Sequence, residues 1–446
     1  MIRRNILNEL KKWKEDELRK PLILRGARQV GKTTVIKDFA NEFDVFISLN
    51  LEQKADRNLF EKDKNVHELI EDIYFHSKIK VTKGSCLLFI DEIQFSAEAV
   101  AILRYFYEEA NHIYVITAGS LLENLMETKK ISFPVGRVEY MLMRPLCFTE
   151  FLEGIGEDFD RSVLLNVKSD AIHERMTKHF KRFVLVGGMP AAVVQYAQKK
   201  DFLGVNKIYD SLLQSYKDDV EKYAESDTTA KVIRHIITTC WGYTGGEITF
   251  ENFGASNFKS REMSVAFGTI EKAMLLELVY PTFDSSFPLL NDYRKKPKMF
   301  CLDAGLVNYV AKIQEELFLS DDIQDVWRGK IAEQIVAQEL LSRDFSINAK
   351  HYFWRRNKTG SEAEIDFVYP YKGKILPIEV KSGVIGKLKS LQLFMDECPH
   401  NWAIRIWSKP LSIDEVKTPN GKPYKLINVP FYYVCLLNEL LEKLEV

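Results

Sequence analysis

Apolar runs alternate with helical periodicity in the first part of the chain, up to about Gly154. Runs rich in branched and aromatic residues predict strands at Leu22–Leu24, Val45–Leu51, Cys86–Ile90, Ile113–Thr117 and Val138–Met143. Helical stretches, of which the one at Thr34–Glu42 is an example, separate most of these strands. The pattern is typical of a parallel α/β sheet whose strands are joined by crossover helices.

Helical periodicity dominates the middle part of the chain, from about residue 159 to residue 312. The predicted helices are Lys231–Cys240, Ile248–Phe253 and Arg261–Leu275. Two short strands joined by a turn are predicted after them, at Leu276–Phe283 and Lys298–Leu302. The closing order of helix, helix and two strands is that of a winged helix-turn-helix.

Strands return in the third part, which opens with a predicted helix at Gly329–Leu341. The strands predicted after this helix are His351–Arg355, Ala363–Tyr369 and Ile375–Lys381. We therefore expect an α/β multidomain chain with domains at residues 1–156, 157–320 and 321–446.

Composition narrows the class of protein. Hydrophobic residues make up 46% and charged residues 28% of the chain, which is typical of packed domains rather than of disorder. The formal net charge of -1 does not indicate a polyanionic partner, although a local basic patch would suffice for one. The cysteines are scattered singly, which argues against a zinc ribbon or a disulfide framework. We expect a cytoplasmic protein, without a secretory segment or a membrane span.

A glycine-rich octet follows the first predicted strand and ends in Lys32-Thr33. Its two glycines let backbone N–H groups turn toward a phosphate, to which the following helix presents its positive end. The lysine supplies a charge to the β- and γ-phosphates, and the threonine hydroxyl can hold Mg²⁺, so Thr33 is also a predicted metal ligand. The predicted ATP-binding residues are Gly26, Ala27, Arg28, Gln29, Val30, Gly31, Lys32, Thr33 and Thr34.

An acidic pair ends the third predicted strand. Asp91 is placed to support Mg²⁺, directly or through water, and Glu92 to polarise the attacking water as general base. The next strand ends near Thr117 and Ser120. These two hydroxyls either sense the γ-phosphate or belong to a strand that ends in a Gly-Ser turn. Together with the phosphate-binding loop, the acidic pair predicts hydrolysis of ATP.

Arg137 is the predicted arginine finger, a residue whose charge completes the transition state of phosphoryl transfer. A positioned arginine of this kind contributes about 10³–10⁵-fold in rate. The alternative is an ordinary surface arginine that pairs with a carboxylate such as Glu139. The finger would act in its own subunit or in a neighbour's, and the second case requires a homo-oligomer.

These motifs resemble those of prokaryotic AAA-type ATPases that have an AAA domain 14 followed by a DUF4143 region. The resemblance spans nearly the whole chain and rests on four runs, Leu-Arg-Gly-Ala-Arg-Gln-Val-Gly-Lys-Thr-Thr, Phe-Ile-Asp-Glu-Ile-Gln, Ala-Gly-Ser-Leu-Leu, and Gly-Arg followed by Arg-Pro-Leu-Cys-Phe-Thr-Glu-Phe. It implies an AAA+ sheet with strand order 5-1-4-3-2 and a winged helix in the middle region. It also implies the Mg²⁺, base and finger roles of Thr33, Asp91, Glu92 and Arg137. The sensor position, often Asn in the wider superfamily, is not Asn here.

The middle region offers two surfaces to a nucleic acid. In a winged helix the second helix enters a major groove. Its exposed positions form a mixed set, Arg261, Glu262, Ser264, Thr269 and Lys272. The basic cluster at residues 294–298, in the wing, is better suited to phosphates. Winged helices also serve as spacers or protein-docking modules, so both DNA contact and docking stay open.

Charged residues alternate along two predicted strands of the C-terminal part. Side chains two residues apart share one face of a strand, so Glu362, Glu364 and Asp366 lie together. Glu379 and Lys381 share a face in the same way. If the two strands pair, Asp366 converges with these two side chains. The alternative is a pair of amphipathic strands whose charges are merely solvated.

The order Asp, variable gap, Glu-x-Lys resembles the PD-(D/E)xK nuclease superfamily. The resemblance implies a restriction-endonuclease-like α/β domain. Its metal ligands would be Asp366, Glu379 and Glu333, and Lys381 would be its catalytic lysine. Carboxylates that hold Mg²⁺ beside a lysine are what metal-assisted phosphodiester hydrolysis requires.

Two classes of function follow from these features. The leading one is an ATP-hydrolysing switch or motor that positions a DNA-directed, nuclease-like domain. The alternative is an ATP-gated regulatory or interaction protein whose nuclease-like scaffold is inactive. A kinase built on the phosphate-binding loop ranks last, because Asp91-Glu92 favours water as the acceptor. We expect ATP and Mg²⁺ as cofactors, DNA and a second copy joined through Arg137 as candidate partners, and no membrane.

Overall fold

The computed structural model describes residues 2–60, 64–80, 84–119, 134–164, 170–221, 224, 226–319, 329–356, 363–381 and 388–446. Packing divides the chain into two compact units. Unit 1 contains residues 1–144, 272–274 and 344–348, and unit 2 contains residues 145–271, 275–343 and 349–446. Unit 2 thus takes in most of the two predicted C-terminal domains, whose separate boundaries stay predictions.

A parallel sheet of five strands is the centre of unit 1. Its strands are β1 (Leu22–Arg25), β2 (Val45–Asn50), β3 (Cys86–Asp91), β4 (Ile113–Ala118) and β5 (Glu139–Leu142). They lie in the order β2-β3-β4-β1-β5, and each neighbouring pair is parallel. This arrangement confirms the order 5-1-4-3-2. Since both faces of such a sheet are covered, its central strands are continuously apolar, as the buried residues of β3 show.

Helices connect the strands of unit 1. They are α1 (Ile6–Glu15), α2 (Lys32–Phe39), α3 (Lys54–Arg57), α4 (Val66–His76) and α5 (Ala97–Glu109), with 3₁₀ turns at Ala40–Glu42 and Ile93–Phe95. Helix α2 begins at Lys32, within the phosphate-binding octet, and is followed by the 3₁₀ turn at Ala40–Glu42. Helix α5 is capped by the Ser96 hydroxyl, which accepts a hydrogen bond of 3.1 Å from the Ala99 N–H.

Helices also form the first part of unit 2. They are α6 (Phe148–Gly154), α7 (Asp158–Val163), α8 (Asp170–Val186), α9 (Pro190–Lys199), α10 (Phe202–Glu221) and α11 (Asp227–Thr239), with a 3₁₀ turn at Cys240–Tyr243. The apolar face of α11 is buried, in agreement with the periodicity predicted for this segment. No helix in the described ranges has both the length and the apolar character to cross a membrane.

A small antiparallel sheet follows α11. The next elements are β6 (Gly246–Glu247), α12 (Ser260–Lys272), β7 (Leu276–Val279), β8 (Pro281–Thr282) and β9 (Lys298–Cys301). The sheet has the order β6-β9-β7, with β9 in the centre. The prediction of a helix at Ile248–Phe253 is wrong. Asn252 and Gly254 have left-handed backbone angles, which interrupt an α-helix, and a short 3₁₀ turn at Phe253–Ala255 forms instead. The winged-helix assignment stays a prediction.

A mixed five-stranded sheet forms the last part of unit 2. The helices here are α13 (Ala304–Val310), α14 (Gln314–Leu319), α15 (Lys330–Leu340), α16 (Lys389–Glu397) and α17 (Leu437–Lys443), with a 3₁₀ stretch at Phe431–Leu436. The strands are β10 (Phe353–Arg355), β11 (Glu364–Ile365), β12 (Phe367–Tyr371), β13 (Lys374–Val380), β14 (Trp402–Trp407), β15 (Ser412–Lys417) and β16 (Pro423–Pro430). The sheet order is β12-β13-β14-β16-β15, and β10 pairs with β8 and β11 in a separate sheet. The hairpin β12–β13 brings the two predicted carboxylate segments together.

Candidate ATPase site and C-terminal carboxylate site

The phosphate-binding loop leaves β1 and enters α2, and its glycines are required by its shape. Gly31 has φ +97°, a left-handed angle that favours glycine. At Gly26 a Cβ atom would lie 2.4 Å from the backbone oxygen of Met143, so any side chain would displace the loop. The loop is thus closed tightly at both ends, as the sequence pattern predicts.

Arg4 supports this loop, and sequence reasoning missed it. The arginine is buried, and its Nη1 donates a hydrogen bond of 2.9 Å to the Val30 carbonyl in the middle of the loop. Its Nη2 donates to the Arg144 carbonyl at 2.7 Å. No motif marks Arg4, because a structural arginine near the start of a chain has no sequence signature of its own. Its buried side chain joins the loop to the backbone that follows β5.

Lys32 lies at the first position of α2, half-buried beneath the loop. Its Nζ donates to the carbonyls of Gly26 at 2.7 Å and Ala27 at 3.0 Å. Burial lowers the pKa of Lys32 to about 8, although the charges of Glu92 and Asp91 act in the opposite direction. A phosphate anion next to this ammonium would favour its charged form.

Thr33 and the acidic pair meet at one edge of the sheet. The Thr33 hydroxyl donates a hydrogen bond of 2.7 Å to Asp91 Oδ2, so oxygens from α2 and from the end of β3 lie side by side. Glu92 takes a left-handed backbone angle of φ +53°, and its N–H donates to Asp91 Oδ1 at 3.1 Å. Burial raises the pKa of Glu92. Gln94, which the sequence did not single out, donates through Nε2 to Glu92 Oε2 and fixes that carboxylate.

Thr117 lies at this same edge, near the end of β4. Strand pairing places it beside Ile90 of β3 and Ile23 of β1. Its side chain is 0% exposed, and its hydroxyl oxygen has no hydrogen-bond partner among the described residues. Ser120, the second predicted sensor residue, lies outside the described residues. A buried hydroxyl without a partner is uncommon in proteins, and such a group is often aimed at a ligand or a water.

Arg137 lies in the turn before β5. Its Nε pairs with Glu108 Oε1 of α5 at 2.7 Å, and Arg104 pairs with the same carboxylate at 2.9 Å. Glu139, the alternative partner considered for Arg137, instead accepts a hydrogen bond of 2.9 Å from the Lys20 N–H. The structure therefore places the Arg137 guanidinium in a partly exposed charge cluster of unit 1. Its role as a finger stays a prediction.

The C-terminal site brings together Asp366, Glu379 and Lys381, as the strand pattern predicts. Asp366 Oδ2 accepts a hydrogen bond of 2.7 Å from the Val380 N–H across the hairpin. Lys381 Nζ lies 2.6 Å from Glu379 Oε1. Burial, reinforced by the charge of Asp366, raises the pKa of Glu379 to about 7. Its second oxygen, Oε2, is buried and has no partner among the described residues.

Glu333 and Glu364 form the other side of this site, and a lysine from the middle region lies between them. Lys298 Nζ is 2.9 Å from Glu333 Oε2 and 2.7 Å from Glu364 Oε1. The assignment of Lys298 to an exposed, phosphate-facing cluster is wrong, because its side chain is buried at 3% exposure. Residues 294–296 of that cluster are exposed. Sequence alone gives no signal for this burial, since the partners of Lys298 are distant in the chain. Glu362 lies outside the described residues.

A second group of metal-type side chains comes from the residue before α7, from α7 and from α8. Ligand atoms of Glu157, Asp160 and His179 come within 4.8 Å of one another. Arg175, however, pairs with Asp160 at 2.6 Å and with Glu157 at 3.4 Å. Arg175 therefore already pairs with both carboxylates, and we interpret the group as a structural charge cluster.

Comparison with other proteins gives relatives over most of the chain. An uncharacterized protein of Methanocaldococcus jannaschii, MJ1637, is 24% identical over 419 residues, covering 87% of this chain and 80% of its own length. The Walker-type ATPase PABY2304 of Pyrococcus abyssi has a TM-score of 0.45 at 14% identity, covering 70% of this chain and 96% of its own. The RuvB Holliday junction branch migration motor of Thermotoga maritima has a TM-score of 0.26 at 17% identity, covering 66% and 93%. Likenesses this distant support no argument about activity.

Family models match three consecutive parts of the chain. The model of a domain of unknown function, DUF8612, matches residues 177–317, and that of a second one, DUF4143, matches residues 328–418. The model of an AAA domain matches residues 18–152, which contain the phosphate-binding loop and the acidic pair. Residues 18–152 are therefore similar to an AAA domain, and they are followed by regions similar to DUF8612 and DUF4143.

Proposed function

We propose that this chain binds and hydrolyses ATP at the edge of the unit 1 sheet and that nucleotide state is coupled to a DNA-directed, nuclease-like C-terminal region. The observation that carries the first part is the 2.7 Å contact between Thr33 Oγ1 and Asp91 Oδ2, directly beside Lys32. Two oxygens at the start of α2 and the end of β3 fit the oxygen donor set that Mg²⁺ prefers. When bound, Mg²⁺ would neutralise charge on the phosphate oxygens.

The residues of the loop would hold the triphosphate through backbone N–H groups and the Lys32 ammonium. Glu92 would orient the attacking water and accept its proton. Burial favours this role, because it raises the pKa of Glu92 and makes its carboxylate a stronger base. Gln94 holds one oxygen of Glu92, which leaves the other for the water.

Thr117 suits a sensor of the γ-phosphate. Its hydroxyl is fully buried, lacks a partner among the described residues and lies one strand from Asp91. The alternative reading, a strand that simply ends here, gives the hydroxyl no function. Arg137 is proposed as the finger, and its guanidinium would leave Glu108 to reach a γ-phosphate of its own or of a neighbouring subunit.

The nuclease-like proposal rests on the convergence of Asp366, Glu379 and Lys381 at the β12–β13 hairpin. The unpartnered, buried Oε2 of Glu379 fits a cation, and Asp366 would be the second ligand. Lys381 would then position the water that attacks a phosphodiester. The exposed basic residues 294–296 of the predicted wing would contact DNA phosphates, and α12 would enter a major groove. The alternative is an ATP-gated interaction protein with an inactive nuclease-like scaffold.

The division of roles in the ATPase site is tested with two variants. We expect Lys32→Ala to weaken ATP binding by roughly 2–5 kcal/mol, because a buried charge contact to phosphate is lost. We expect Glu92→Gln to bind ATP normally but to turn it over about 10²–10⁴-fold more slowly, because the general base is lost. Calorimetry and a phosphate-release assay measure the two effects, with the exposed Glu52→Gln as control. Equal loss of binding in both variants would show that the roles are wrongly assigned.

The Thr117→Val substitution distinguishes a sensor of the γ-phosphate from a hydroxyl that has no function at the end of a strand. Valine keeps the shape of threonine and removes the hydroxyl, so a sensor role predicts normal ATP affinity and turnover reduced about tenfold, the value of one hydrogen bond made in the transition state. If the hydroxyl has no function, turnover stays unchanged and the free energy of unfolding stays equal or rises. Ser48→Ala, which removes an exposed hydroxyl from the same sheet, is the control.

Arg137 and Arg104 form a matched pair, since both contact Glu108. We expect Arg137→Ala to lower ATP turnover about 10³-fold or more and Arg104→Ala to leave it nearly unchanged. If the finger acts between subunits, mixing Glu92→Gln with Arg137→Ala restores part of the turnover, because mixed assemblies pair an intact base with an intact finger. Similar rates of ATP turnover in Arg137→Ala and Arg104→Ala would contradict the finger role of Arg137.

The C-terminal site is tested by DNA cleavage with Mg²⁺ or Mn²⁺. We expect cleavage by the full chain, and we expect Lys381→Ala to reduce it about 10²-fold or more, because the residue that positions the water is lost. Lys417→Ala, an exposed lysine on β15, should cleave normally. Absence of cleavage with any divalent ion, alongside intact ATP turnover, would favour the inactive-scaffold alternative.

A further inference from the structure

Lys298 connects the small sheet of unit 2 with the carboxylate site. It is the first residue of β9, the central strand of that sheet, and its backbone pairs with β6 and β7. Its side chain is nevertheless 3% exposed. An ammonium is buried in a protein only when it is paired, so the contacts of Nζ decide what this residue does.

The ammonium of Lys298 is matched by carboxylates from separate elements. Glu333 comes from α15, Glu364 from β11, and Asp366 from the turn between β11 and β12. Two contacts are short, to Glu333 at 2.9 Å and to Glu364 at 2.7 Å, and the third, to Asp366 Oδ1, is 3.9 Å. Carboxylates at these distances match the charge of the buried ammonium, which a buried lysine requires.

The two sides of the site differ in which carboxylate oxygens are engaged by a cation. On one side, Glu333 and Glu364 contact Lys298, and the second oxygen of Glu364 accepts from Arg355 at 2.9 Å. On the other side, Glu379 Oε2 is buried without a partner among the described residues, and the ammonium of Lys298 is 3.9 Å from Asp366 Oδ1. Lys298 thus directly engages one oxygen of Glu333 and one of Glu364, whereas it makes no contact this short with Asp366.

We propose that the ammonium of Lys298 occupies the Glu333/Glu364 side of the carboxylate site and thereby restricts a divalent metal ion to the Asp366/Glu379 side. A metal ion coordinated by Glu333 would have to displace the buried ammonium or lie next to it, and the two positive charges would repel each other. Lys381, by contrast, is half-buried and contacts Oε1 of Glu379, so the buried Oε2 of Glu379 remains without a partner among the described residues. Glu333, predicted from the nuclease pattern as a metal ligand, is then a partner of Lys298 instead. The proposal rests on the nuclease-like site of the proposed function, but it concerns metal binding and holds whether or not DNA is cleaved.

The test is a titration of the nucleotide-free full chain with Mn²⁺ alone, followed by electron paramagnetic resonance of the free ion. All variants carry Asp91→Asn, which removes the metal-type carboxylate of the ATPase site. We expect one bound Mn²⁺ in this parent chain. Glu333→Gln should keep that ion with an affinity within about threefold, whereas Asp366→Asn should lose it. Lys298→Met should bind a second ion, and Lys296→Met, which removes an exposed neighbouring lysine, should not.

Three results would overturn the proposal. One is a loss of Mn²⁺ affinity in Glu333→Gln as large as that in Asp366→Asn, because Glu333 would then be a ligand. Another is the absence of bound Mn²⁺ in the parent chain, and the third is a Lys298→Met variant that folds and still binds a single ion. Circular dichroism checks folding. If Lys298→Met does not fold, the comparison of Glu333→Gln with Asp366→Asn decides alone, because both variants keep Lys298.

Discussion

A charge that leaves water must be matched by an opposite charge, and each candidate site of this chain is built around a buried or half-buried lysine. Lys32 lies under the phosphate-binding loop, where loop carbonyls hold its ammonium and Asp91 and Glu92 are close. Lys298 lies within the carboxylates of unit 2. The pKa values of the two lysines shift in opposite directions. Burial prevails at Lys32 and lowers its pKa, whereas the carboxylates prevail at Lys298 and raise its pKa.

The ATPase site depends on the parallel order of the unit 1 sheet. In parallel strands the carboxyl ends meet at one edge, so the loop after β1, the acidic pair after β3 and Thr117 at the end of β4 are neighbours. The contact between Thr33 and Asp91 is the direct sign of this convergence. The sheet thereby brings together three segments that are far apart in the chain.

Unit 2 joins its small sheet to its carboxylate site through buried polar contacts. Gln334 of α15 donates to the carbonyl of Cys301, the last residue of β9, at 2.8 Å and accepts from the Cys301 N–H at 2.9 Å. His351 contacts Glu277 of β7 at 2.7 Å. With Lys298, these contacts make the small sheet and the carboxylate site parts of one packed body.

What the sequence determined by itself is the chemistry that short motifs carry. Glycines that a loop shape demands, a lysine that follows them and an acidic pair after an apolar strand predict a nucleotide site, because each is required by local geometry or by direct contact with phosphate. The alternation around Asp366 and Glu379 likewise predicts their convergence, since strand periodicity is local. Tertiary structure decided the rest. The helix predicted at residues 248–253 gave way to left-handed turns, and Lys298 was buried among carboxylates that lie at least 35 residues away in sequence. Burial and charge matching are properties of the packed unit, so no local pattern encodes them.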